Sequence, residues 1–275
     1  MKLSYTLVGG LGDFILKYLG SPGDRLSHIL HAFPGQVHFR VASSQPAGHD
    51  LIKNNPFFTE AEIFEEIPNE RNILPNDIQV LQSLNEYQKL IPPIWLSSEE
   101  QEILANIKKP YSVFHPWASM EARSLVPVYD IHKLAQWIAD TSGINLVVLG
   151  TEEFGYKSHN VTQLKCSSRL SVQTVQGATF MVGTHSSMSC AAWVYRIPSF
   201  CIGPSYLLFH NWYAPFSYDY YLKPMFRDNN LFLMFEQSEQ FFPFFDHFLR
   251  NATSLTPRLA PEEYRLRKSL SCKAS

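Results

Sequence analysis

The chain has 275 residues, 45% of them hydrophobic and 17% charged, with a formal net charge of −2. That length supports one large or two medium domains with real cores, and the near-neutral balance excludes a bulk basic field for nucleic acid as a primary partner. Cys166, Cys190, Cys201 and Cys272 form no Cys-x-x-Cys pair and no His/Cys cluster at metal spacing, so free thiols in a reducing, cytoplasmic compartment are expected and structural zinc is not. Asp13 and three glycines interrupt what would otherwise be a signal-peptide core, and no apolar run approaches the ~20 residues that span a bilayer.

Residues 3–9 form an apolar, β-branched and aromatic run that ends at a double glycine, and Phe14, Ile15, Tyr18 and Leu19 follow at helical spacing. This predicts strand, turn, helix. Val37–Val41 alternates as a strand, Asp50–Asn55 is a helix end before Pro56, and Ile63–Ile67 offers another strand. Several prolines and Asn-rich turns interrupt the segment from Pro68 to Pro93. Ser97–Lys108 reads as a helix opened by Ser-Ser-Glu-Glu and closed before Pro110.

A second alternating series begins with the strand Tyr111–His115, continues with a helix over Ile131–Thr141, and reaches Ile144–Leu149, a strand apolar enough to be buried on both faces. Val161–Leu164 is expected as a strand, Val172–Gly177 as a short helix, and Phe180–Val182 and Ile197–Ile202 as strands. Two β/α series on either side of a Pro-bounded helix predict an α/β protein of two Rossmann-like domains, residues 1–109 and 110–275, facing a central cleft. The aromatic-rich segment Tyr206–Phe226 has no period and reads either as an irregular aromatic layer or as a platform for stacking sugars. The charged tail after Pro261 reads as a solvated amphipathic helix, with peripheral contact to an anionic membrane as its second reading.

Two turns carry chemistry. Between the strands at 180–182 and 197–202, Thr184, Ser186, Ser187 and Ser189 place hydroxyls and backbone N–H groups where a helix begins, and the helix dipole adds positive potential there. That arrangement suits a diphosphate. An ordinary Ser-capped helix is the plain alternative. The second turn, Gly9-Gly10-Leu11-Gly12-Asp13, has the same strand-to-helix placement near the N-terminus.

In chain order, five segments resemble the family-nine glycosyltransferases, the ADP-heptose:lipopolysaccharide heptosyltransferase type. They are Gly9-Gly10-Leu11-Gly12-Asp13, Asn55-Pro56, His115-Pro116-Trp117-Ala118-Ser119, Leu149-Gly150-Thr151-Glu152-Glu153, and Val182–Pro204 with its closing Gly-Pro. The resemblance implies a GT-B fold and metal-independent, inverting transfer of a sugar from a nucleotide-diphosphate sugar to an acceptor hydroxyl on a glycan or glycolipid, with no further cofactor. No Asp-x-Asp clamp of the metal-dependent kind occurs in the chain. The match has departures: His185-Ser186-Ser187-Met188-Ser189-Cys190 stands where the family carries Asp-Ser/Thr-Gly-x-x-His, and Trp117 stands at a customary glycine.

By the same resemblance Asp13 is the base for the acceptor proton, with helix capping as its other reading. Arg123 is the cation for the leaving diphosphate, or else a surface arginine. Glu152 or Glu153, after the strand at 144–149, is placed to hydrogen-bond ribose hydroxyls, or to cap a helix. Thr184, His185, Ser186, Ser187 and Ser189 complete the donor set, with helix capping as the other reading of His185, while Gly10, Gly12 and His115 are assigned to the acceptor or phosphate side, with a purely structural role as the other reading of His115. Two other functions remain open: a noncatalytic nucleotide- or sugar-binding protein of the same fold, supported by the altered 185–190 segment, and a nicotinamide-dependent oxidoreductase. The last lacks a full Gly-x-Gly-x-x-Gly, since Ile15 stands where the final glycine belongs.

Overall fold

The computed structural model describes residues 3–7, 10–12, 14–15, 37–42, 46–53, 58–64, 94–118, 124–126, 128–150, 153–195, 197–204 and 230–252. The chain divides into two compact units, Met1–Glu102 with Ser167–Gln173, and Ile103–Cys166 with Thr174–Ser275. Asp13, Arg123, Glu152, the aromatic segment 206–226 and the tail after 261 lie outside the described residues.

The first unit holds a parallel sheet in the order β1-β2-β3, formed by Leu3–Leu7, Val37–Ala42 and Phe58–Phe64. The third strand begins five residues earlier than the predicted Ile63. Helix α1, Pro46–Ile52, buries Leu51 and Ile52, and its Gly48 is required by contact: a Cβ there would lie 2.6 Å from the Phe14 ring. Phe14 closes the first helical turn through its N–H to the carbonyl of Gly10, at 3.1 Å.

Helix α2, Ser98–Ala105, starts on a capping box in which Glu100 accepts the Ser97 N–H at 2.8 Å and Ser97 Oγ accepts the Glu100 N–H at 3.2 Å. Helix α4, Ser168–Gln176, begins four residues before the predicted Val172. Its start is fixed by one partner distant in sequence and one local cap. The Asp50 carboxylate accepts the Ser168 N–H at 2.7 Å, and Ser167 Oγ accepts the Leu170 N–H at 3.2 Å.

The second unit is built on a six-stranded, all-parallel sheet. Its strands are β4 Tyr111–His115, β5 Asn145–Leu149, β6 Val161–Leu164, β7 Met181–Thr184, β8 Ser199–Gly203 and β9 Asn230–Met234, in the spatial order β6-β5-β4-β7-β8-β9. Both faces are covered, which explains why the central strands are apolar without alternation. Phe114, Leu146, Val148, Val182, Phe200, Ile202 and Leu233 share one core with α3, Ile131–Ser142, and α6, Phe241–Ala252. Tyr111 belongs to the other face, where its hydroxyl donates to the Thr174 carbonyl of α4 at 2.9 Å.

Helix α3 is defined at both ends. Asp130 caps it through the Lys133 N–H, and Gly143, at φ 69°, closes it with its N–H on the Ala139 carbonyl. Helix α6 buries Phe241, Phe242, Phe245, Phe248 and Leu249, a stripe at helical spacing. Trp137 of α3 meets that stripe edge-on, 4.7 Å from Phe242 and 5.8 Å from Phe241. Neither β9 nor α6 was assigned from sequence.

Candidate functional site

The chain lays β4, β5 and β6 outward in one direction, then returns to the other side of β4 to lay β7, β8 and β9. The carboxyl ends of β4 and β7 therefore flank a topological switch point, where open α/β sheets bind ligands. His115 ends β4 and pairs in register with Gly183 of β7. The two backbones approach so closely that a Cβ on Gly183 would lie 2.2 Å from the His115 carbonyl oxygen.

After β7 the His185 N–H continues the ladder to the Ile202 carbonyl at 3.2 Å, and helix α5, Ser187–Val194, follows immediately. Ser186 is its N-cap. The Ser186 carbonyl accepts the Cys190 N–H at 3.2 Å, and Ser186 Oγ accepts the Met188 N–H at 3.3 Å. Ser189 seals the turn from inside: its hydroxyl donates to the Ser186 carbonyl at 2.6 Å and accepts the Ser186 N–H at 3.1 Å.

Across the switch point, Ser186 Oγ lies 2.9 Å from His115 Nδ1. Desolvation pushes the His115 imidazole down to about 4, so the ring is neutral at ordinary pH. With the proton on Nε2, the Ser186 hydroxyl donates to Nδ1 while its oxygen accepts from Met188. Burial likewise pushes the Cys201 thiol up to about 12, which removes it as a nucleophile near the site.

The predicted donor residues thus fall into distinct environments. Thr184, His185 and Ser189 are buried. Ser186 and Ser187 are half-buried, and the Ser187 hydroxyl has no partner among the described residues. Glu153 is solvent-facing, with Lys165 Nζ 3.9 Å away. Gly10 and Gly12 belong to the first unit, Gly10 exposed and Gly12 half-buried.

Trp117 is the residue that sequence reasoning noted only as a substitution. A Cβ on Gly150, just past β5, would lie 2.3 Å from Trp117 Cε3, so the indole rests directly on the Gly150 backbone. It meets the Phe154 ring in a T-shaped contact, with ring centroids 6.2 Å apart at 89°. The strand-Gly spacing at 149–150 was the available signal.

The second unit is therefore an open, parallel α/β sheet of Rossmann strand order, with a capped helix amino end at its switch point. No family model matches the chain, and no curated protein does. Among solved structures the chain is similar to the E. coli ADP-heptose LPS heptosyltransferase II, at 14% identity over 74% of this chain and 85% of that one, with a TM-score of 0.49. It is also similar to a family-nine glycosyl transferase from Veillonella parvula (11%, 98% and 96%, 0.49) and to E. coli heptosyltransferase WaaC with ADP (13%, 74% and 88%, 0.41).

Among the described residues no helix is long and apolar enough to cross a membrane, and no three His, Cys, Asp or Glu side chains group as metal ligands.

Proposed function

We propose that the chain is a glycosyltransferase that takes a sugar from a nucleotide-diphosphate sugar and transfers it to an acceptor hydroxyl. The observation that carries this reading is the Ser186-capped amino end of α5 at the switch point, joined to β4 by the 2.9 Å contact between Ser186 Oγ and His115 Nδ1. Backbone N–H groups and the helix dipole there favour an anion such as a diphosphate and stabilise the charge that develops as it departs.

In this reading Asp13 takes the acceptor proton, Arg123 faces the leaving diphosphate, Glu152 or Glu153 meets the ribose, and transfer inverts the anomeric carbon without a metal. A glycan or glycolipid supplies the acceptor hydroxyl. Wild-type protein should melt at higher temperature with a nucleoside diphosphate and should release it from a nucleotide sugar, because a ligand of the folded state stabilises by mass action. Asp13→Asn should keep the melting shift and lose transfer. Unchanged transfer in that variant removes Asp13 as the base.

A noncatalytic binding protein is the second reading, favoured by how fully Ser186 and Ser189 are engaged with their own turn. It predicts the melting shift without release of diphosphate under any acceptor.

A further inference from the structure

We propose that the half-buried indole of Trp117 is the wall against which the nucleobase of a bound nucleotide stacks. The inference rests on the transferase reading, since it needs a nucleotide at the carboxyl edge of the second sheet; it adds the side chain that meets the base. In open α/β sheets of this order, the nucleoside lies beyond the carboxyl end of the second strand, beside the switch point. Here that strand is β5, and the residue just past its end is Gly150.

Trp117 occupies that position. It lies two residues beyond the end of β4, and its ring covers Gly150 at a distance only a glycine permits, 2.3 Å and 2.6 Å from a Cβ position to Cε3 and Cζ3. The loop that carries it is fastened at both ends: Pro116 accepts the Leu125 N–H at 2.8 Å, and Ser124 Oγ accepts the Ala118 N–H at 3.0 Å. Phe154 then braces the ring in a T-shaped contact. A ring held in place before binding adds little ordering cost when a ligand stacks on it.

Trp117 packs against the core of the second unit without being enclosed by it. Trp137, which packs into the aromatic core, is 0% exposed, whereas Trp117 remains half-buried at the sheet edge. An aromatic ring kept partly open offers a π-face, and every nucleobase has one to match.

The test compares pyrophosphate, which has no base, with whichever of ADP, GDP, UDP or CDP raises the melting temperature of wild-type protein furthest. Trp117→Leu, which keeps apolar bulk against Phe154, should bind that nucleoside diphosphate about tenfold more weakly and bind pyrophosphate as wild type does. Trp117→Phe should retain most of the affinity, and the nucleotide-dependent quenching of indole emission expected of wild type should shrink in it. Equal nucleoside diphosphate affinity in Trp117→Leu and wild type overturns the proposal. So does an equal loss for pyrophosphate, which marks a packing role, or wild-type affinity that is the same for both probes. Wild-type protein that binds neither probe overturns the transferase reading and this proposal together.

Discussion

Arg169→Met should destabilise the first unit far more than its single charge suggests. Arg169 and Glu100 are 7% and 9% exposed, and Arg169 Nε donates to both Glu100 oxygens, at 3.0 Å and 2.8 Å. Glu100 also accepts the Ser97 N–H and the Ser167 hydroxyl, so its carboxylate ties the start of α2 to the start of α4. Removing one member of a buried pair strands the other charge, at about 3–5 kcal/mol. Glu100→Met adds the loss of a helix cap, about 1 kcal/mol.

The double variant should be less costly than the sum, because Arg169 Nη1 is already buried without a partner among the described residues and two apolar side chains leave no stranded charge. We expect a loss of about 2 kcal/mol in the double variant against roughly 9 kcal/mol for the summed singles. Urea unfolding followed by far-UV circular dichroism at pH 7 measures all four proteins. An additive double variant, or an Arg169→Met within about 1 kcal/mol of wild type, refutes the reasoning.

The pH dependence has a definite sign. Burial alone would raise the Glu100 carboxyl, but hydrogen bonds from Ser167, Ser97 and Arg169, with the Arg169 charge, outweigh it and hold the group below its ordinary 4.5. A depressed carboxylate contributes stability that is present above its unfolded value and is lost as pH falls through the lower folded value. The gap between wild type and Glu100→Gln should therefore be full at pH 7 and close only below 4.5.

Three shorter predictions follow from other contacts. Gly183→Ala forces a Cβ against the His115 backbone and should cost at least about 3 kcal/mol; a melting temperature within two or three degrees of wild type, about what 1 kcal/mol gives at this size, would contradict the close approach. Asp130→Ala should cost about 1 kcal/mol through the lost cap of α3, read from urea midpoints, with no change in ligand-induced melting shifts. His115, held at about 4, should show no imidazole titration by NMR near its ordinary 6.5, and an inflection there would mean the ring is not desolvated.

The alternation of β and α was legible because strands buried on both faces are apolar throughout, and β4 and β6 fall on their predicted residues. Element starts were less legible wherever a distant partner sets them. The predicted start, Val172, lies inside α4, and the helix opens at Ser168 because Asp50, 118 residues away, accepts its N–H. Helix α6 was missed although Phe241, Phe242, Phe245, Phe248 and Leu249 carry the helical stripe. A run of phenylalanines suits strand and helix alike until Trp137 supplies the surface that selects the helical face.

The site shows why hydroxyls counted along a sequence overstate a ligand set. Four of them surround the amino end of α5, but a hydroxyl serves a ligand only when its own turn does not claim it. Thr184 and Ser189 are 0% exposed, Ser189 bonds the Ser186 backbone twice, and Ser186 Oγ is shared between His115 and Met188. In the proposed reading Ser187, half-buried and without a hydroxyl partner among the described residues, is the hydroxyl available to an anion. Ser187→Ala should therefore weaken pyrophosphate about tenfold, the worth of one hydrogen bond to a charged group, with the melting temperature of the unliganded protein unchanged. Ser189→Ala should do the reverse, lowering unliganded stability by about 1–3 kcal/mol because the Ser186 N–H loses its acceptor. Matching losses of affinity in both variants would mean that the turn binds as one unit, and the division of roles drawn from its hydrogen bonds would fall.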